Sequence, residues 1–116
     1  MKISVEEIRK EYPNPVRAGT IKAGEECYCV GGALVRYVEK HQGKESIRIN
    51  STSRINEEYP IVRHITKLLQ TVNPALPISY ALVYANGIAV ENDNEQFEKA
   101  WAILGKALSY PNEVGK

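Results

Sequence analysis

Apolar side chains recur every three or four positions in five stretches of the chain, the period of a helix with one buried face. Across residues 4–12, Val5, Ile8 and Tyr12 make a narrow stripe. Ser4 and Glu7 have the spacing of a capping box, in which each side chain satisfies a backbone N–H, and Ile3 and Ile8 are placed to staple across it. Pro13 and Pro15 stop the segment, since neither has an N–H to donate. Residues 27–41 carry a broader stripe of Cys29, Val30, Ala33, Leu34, Tyr37, Val38 and His41, with Gly43 as a left-handed stop. In residues 58–72 the stripe is Ile61, Ile65, Leu68, Leu69 and Val72, and Pro60 fits a first turn. Asn73 and Pro74 end it. Residues 78–90 place Ile78, Ala81, Leu82, Ala85 and Ile88 or Ala89 inward, with Tyr80, Val83 and Tyr84 widening the apolar surface, so this helix is expected to be central. The run YALVYA also suits a buried strand, but its length and flanking helices favour a helix. Residues 94–109 repeat Phe97, Ala100, Trp101, Leu104 and Leu108, with Asp93 as N-cap, Gln96 as its capping-box partner and Pro111 as the stop.

The intervening residues 13–26 and 44–57 read as ordered loops, with a short β-hairpin as the alternative. INSTSRIN, rich in Asn, Ser and Thr, is the expected mobile piece. Gly31 and Gly32 stand out, because each costs about 1 kcal/mol against Ala inside a helix. They predict close approach of another backbone. The expectation is a single all-α domain over residues 1–116, a compact bundle of about five helices with two long loops.

Composition narrows the class without naming a function. The chain has 116 residues, 43% hydrophobic and 25% charged, with a net charge of +1. That excludes a disordered, collagen-like or disulfide-dense chain. No apolar run approaches the length of a membrane-spanning helix. MKISVEEIRK lacks the apolar core of a signal peptide, so a cytoplasmic protein is expected, with Cys27 and Cys29 as reduced thiols. Charge is polarised along the chain. Residues 40–67 hold six basic residues (Lys40, Lys44, Arg48, Arg54, Arg63, Lys67) against three acids, whereas residues 91–113 hold five acids against two lysines.

Four constellations bear on chemistry. Cys29 opens a helix beside two glycines, where the positive end of the helix dipole favours a thiolate, and His64 or His41 would be its base. The opposing reading is a small buried cysteine, which its place on the apolar stripe favours. Cys27, Cys29, His41 and His64 are metal-ligand types, but C-x-C is too tight for the usual knuckle and His41 lies about 18 Å along the helix from Cys29. No metal or cofactor is expected. Arg48, Arg54 and Arg63, with Lys44, form a basic segment able to touch phosphates, without the helix-turn-helix or aromatic motif that would support nucleic-acid binding. Seven tyrosines accompany one Phe and one Trp. Tyr28, Tyr37, Tyr80 and Tyr84 are candidates for a shared binding surface.

Cys29, Gly32, Ala33 and Leu34, followed by Asn92 and Asp93 before a terminal helix, resemble small uncharacterised bacterial and phage proteins. These share a C-x-x-G-A-[LI] helix start and a later Asn-Asp. The resemblance implies an all-helical fold in which the cysteine–glycine helix is architectural, and it implies no activity. Cys27, and the lack of a tryptophan before the Asn-Asp pair, depart from the pattern. Without a complete catalytic set, the expected function is a non-enzymatic protein-interaction module, phage or mobile-element associated, that binds a protein partner or itself. The alternatives are a cysteine-dependent enzyme using Cys29 and a nucleic-acid-associated protein using the basic segment.

Overall fold

The computed structural model describes residues 3–17, 28–42 and 58–111. Its regular elements are α1 (Val5–Glu11), α2 (Val30–Gln42), α3 (Glu58–Val72), α4 (Ile78–Asp93) and α5 (Phe97–Ser109). Among the described residues every regular element is a helix, so the chain is an all-α bundle. α4 packs most extensively against α5 and α3 and also touches α2, while α1 bridges α2 and α5. Trp101, Ile8, Leu34, Ile65, Leu68, Leu69, Leu76, Ile88 and Leu104 are all almost completely buried in one core. Each such side chain contributes roughly 1.5–3 kcal/mol relative to exposure.

Helix ends follow local chemistry in part. Ser4 caps α1, its Oγ accepting from the Glu7 N–H at 3.3 Å. The return half of the expected capping box is different, because the Ser4 hydroxyl itself donates to the Glu7 carboxylate at 3.2 Å. Ile3 and Ile8 are both buried, as a staple requires. α1 is tied to α5 by a two-pronged pair from the Arg9 guanidinium to the Glu98 carboxylate, at 3.1 and 2.6 Å. Asn73, just beyond α3, donates through Nδ2 to the carbonyls of Ala107 and Tyr110 at 2.9 and 3.0 Å, satisfying the C-terminal end of α5.

Three expectations need correction. Asp93 is not the N-cap of the last helix. α4 continues through Asp93, the chain turns through Asn94 and Glu95 (which takes a positive φ of 60°), and α5 starts at Phe97 after Gln96. The glycines of α2 do not admit another backbone. A Cβ on Gly31 would collide with the side chain of Ile65 on α3, whereas one on Gly32 would make only ordinary contacts with Cys29 and Tyr28.

The third correction concerns the orientation of α4. Ala81, Ala85, Ile88 and Asn92 face inward, whereas Ile78 and Leu82, expected inside, are 61% and 51% exposed. A helix apolar on all sides has no dominant stripe to fix its rotation, and its neighbours decide it. Small Ala81 and Ala85 permit close approach where α4 meets α3 and α5.

The segments 18–27 and 43–57 lie outside the described residues, and with them most of the hairpin alternative and the Gly43 stop. Residues 12–17 have no regular structure, and they meet the entry to α2 through the Val16 N–H, which donates to the Tyr28 carbonyl at 2.8 Å.

Candidate functional site

The entry to α2 brings together residues far apart in sequence. Cys29 is the N-cap of α2: its carbonyl accepts the first helical bond from the Ala33 N–H at 2.8 Å, and its Sγ accepts from the Gly32 N–H at 3.2 Å. A thiol here fills the place that Ser or Asp takes in most helices. The next orphan N–H, of Val30, is satisfied by the Asn92 side chain of α4, with Oδ1 at 2.9 Å. Asn92 also donates through Nδ2 to the Val16 carbonyl at 3.1 Å. Asn92 is therefore a buried clamp joining α4, the start of α2 and the 12–17 segment. The described residues leave no buried side-chain nitrogen or oxygen without a partner.

This geometry bears on Cys29 as a nucleophile. Burial of the thiol is the dominant influence, and the backbone N–H groups at the helix start oppose it. The balance pushes the thiol up, and the negative charge of Asp93 adds to that. His41 lies at the opposite end of α2. Its Nε2 is 2.8 Å from a carboxylate oxygen of Glu11, and its ring packs against Tyr37 with centroids 4.2 Å apart. His64 is half-buried on α3, beside Ile65 in sequence. Among the described residues, no three His, Cys, Asp or Glu side chains are grouped to hold a metal ion. Cys27 lies outside the described residues.

The four candidate tyrosines lie in three separate places. Tyr28 packs edge-on against Tyr12, with centroids 5.2 Å apart, and its hydroxyl accepts from the Asn14 N–H at 3.0 Å. Tyr37 is buried in α2 and presents no binding surface. Tyr80 and Tyr84 sit on α4, where Tyr80 packs edge-on against both Tyr84 and Tyr110. Of the basic candidates, Arg63 is exposed on α3 with Lys67 one turn later, while Lys44, Arg48 and Arg54 lie outside the described residues. Lys40 is engaged in an ion pair with Glu11 at 2.9 Å.

Apart from Tyr80, sequence reasoning missed the surface on the outer side of α4. Ile78, Tyr80, Leu82, Val83 and Val90 are between 48% and 68% exposed, and they are the exposed large hydrophobics among the described residues. Ile78, Leu82, Asn86 and Val90 succeed one another every fourth position, forming a row along the helix, with Val83 beside it. A monomeric protein more often scatters such residues singly than lines them up. The available signal was the helix's uniform apolarity, which suggested a central helix and concealed that one side remains bare. No helix of the described residues is long and apolar enough to cross a membrane. Comparison with protein-family models, curated proteins and solved structures found no match for this chain.

Proposed function

We propose that this chain is a non-enzymatic protein-interaction module that presents the outer side of α4 to a protein partner. The observation that carries the reading is the row of exposed apolar residues Ile78, Leu82, Val83 and Val90 on a helix otherwise held firmly in the core. Leaving such side chains in water forgoes burial worth up to roughly 1.5–3 kcal/mol each, so a surface that covers them gains directly. Tyr80, with Tyr84 and Tyr110 behind it, supplies an aromatic rim of the kind enriched at interfaces.

Two other readings have less support. A nucleophilic Cys29 would need a lowered thiol, and burial raises it. Among the described residues, a nucleic-acid surface would rest on Arg63 and Lys67, a single basic turn of α3.

The test is site-directed photocrosslinking in cells that produce the protein. A photoreactive phenylalanine analogue at position 83 should give a discrete crosslinked product, and the same group at position 106, exposed on α5, should not. Equal labelling at both positions, or none at position 83, refutes the interaction surface.

A further inference from the structure

We infer that the partner of the α4 surface is a second copy of this chain, packed two-fold with the two α4 helices antiparallel. The inference rests on the interaction-module reading and names its occupant. Four observations carry it.

The first is charge. No Asp, Glu, Lys or Arg occurs from residue 68 to residue 90. Interfaces with foreign partners use complementary charge to select and orient them, and like charges to reject others. From Ile78 to Val90 the outer face of α4 has nothing to match a charged partner and nothing to repel its own copy.

The second is the polar residue within the apolar row. Asn86 is exposed between Leu82 and Val90. An amide carries both donor and acceptor, so one Asn can satisfy another related to it by a two-fold axis, which neither a carboxylate nor an ammonium can do. A single Asn within an apolar helical seam also favours one register over others.

The third is the polarity of the helix ends. The N-terminus of α4 begins after Pro77, with no side-chain cap and no acid in its first turn. The other end carries Glu91 and Asp93 and no basic residue. Antiparallel packing lays the acidic end of each helix beside the uncapped, positive end of the other. Parallel packing would place the acids together.

The fourth is area. Five large side chains, each about half exposed or more, offer on the order of 500 Å² per copy, and a two-fold contact would cover about 1,000 Å², the lower edge of specific association. The dimer is therefore expected to be weak and concentration-dependent.

The row Ile78 to Val90 is centred on residue 84, so Val83, 68% exposed, lies beside the two-fold axis, and the two Asn86 side chains flank it about half a turn to either side, reaching toward each other across it. One substitution there places two like charges near each other. The experiment is sedimentation velocity on the full chain, on Val83→Glu, on Val83→Lys and on an equimolar mixture of the two variants. The parent should sediment at twice the 13.0 kDa chain mass at high concentration. Each variant alone should dimerise at least tenfold more weakly, with unchanged helical circular dichroism. The mixture should recover the dimer, because opposite charges then meet across the axis. Two results overturn the inference: a parent that stays monomeric at about 500 μM, or a dimer that persists equally in both single variants. A monomeric parent whose position 83 still crosslinks to another protein removes self-pairing and keeps the interaction module. A monomeric parent with no such product removes both.

Discussion

The two sides of α4 are built from the same kinds of residue and have opposite fates. Its inner side, Ala81, Ala85, Ile88 and Asn92, is almost wholly sealed, and the polar member, Asn92, spends its acceptor and its donor on backbone groups of two other segments. Its outer side, Ile78, Leu82, Val83 and Val90, is no less apolar, and the polar member, Asn86, faces water. Hydrophobicity alone therefore does not assign a side to the core. Small residues that allow close packing and a polar group with matching partners do. What remains apolar afterwards is available for another surface.

That contrast is open to direct attack. Ile88→Ala on the inner side should cost about 2–5 kcal/mol in urea unfolding, whereas Leu82→Ala outside should change monomer stability by less than about 0.5 kcal/mol. Equal effects would abolish the distinction. Asn92→Ala should come next, at about 2–4 kcal/mol, because it leaves both the Val30 N–H and the Val16 carbonyl without a partner. Asn86→Ala on the outer side should leave unfolding of the monomer nearly unchanged.

Gly31→Ala should destabilise by roughly 1–2 kcal/mol, as the collision with Ile65 outweighs the gain in helix propensity. Gly32→Ala, free of such a collision, should be neutral or stabilising. Cys29→Ser keeps a cap on the Gly32 N–H and should remain within about 1 kcal/mol of the parent, while Cys29→Val loses the cap at about 0.5–2 kcal/mol. The smallest effect is at the surface. Hydrogen bonds from Lys40 and then His41 hold the Glu11 carboxyl below its ordinary value. The stability it contributes is present above the ordinary carboxylate range and is lost as pH falls through the lowered value in the folded state. Glu11→Gln should therefore lower stability slightly at neutral pH, match the parent below that window, and so flatten the acid side of the stability–pH profile.

How much of this was legible in the sequence depended on the range of the interaction. The span 58–72 coincides with α3, and the Ser4 cap was readable, because periodicity and capping are properties of neighbouring residues. Asp93 and Gln96 have the spacing of a capping box, yet α4 runs through that point, held there by Asn92. The partners that make Asn92 a clamp lie 62 and 76 residues away, and no local pattern encodes them. The Asn-Asp pair and the cysteine–glycine helix start, which the sequence linked only through one resemblance, meet directly where Asn92 takes the Val30 N–H. Gly31 was rightly singled out, but the object it admits is a side chain on α3, two helices' worth of sequence away from any local clue. The bare side of α4 was concealed by its own uniformity, since rotation about the helix axis is set only by what packs against it.

The Asn92 clamp also has a kinetic meaning. A contact spanning 62 residues is expected to form after more local pairings, because the entropy of closing that length of chain must first be overcome. The first turn of α2 therefore lacks one of its partners until α4 has docked. The amide proton of Val30 is a clock for that event. In a pulsed hydrogen-exchange experiment it should gain protection together with the α4 amides, and later than the amides in the middle of its own helix.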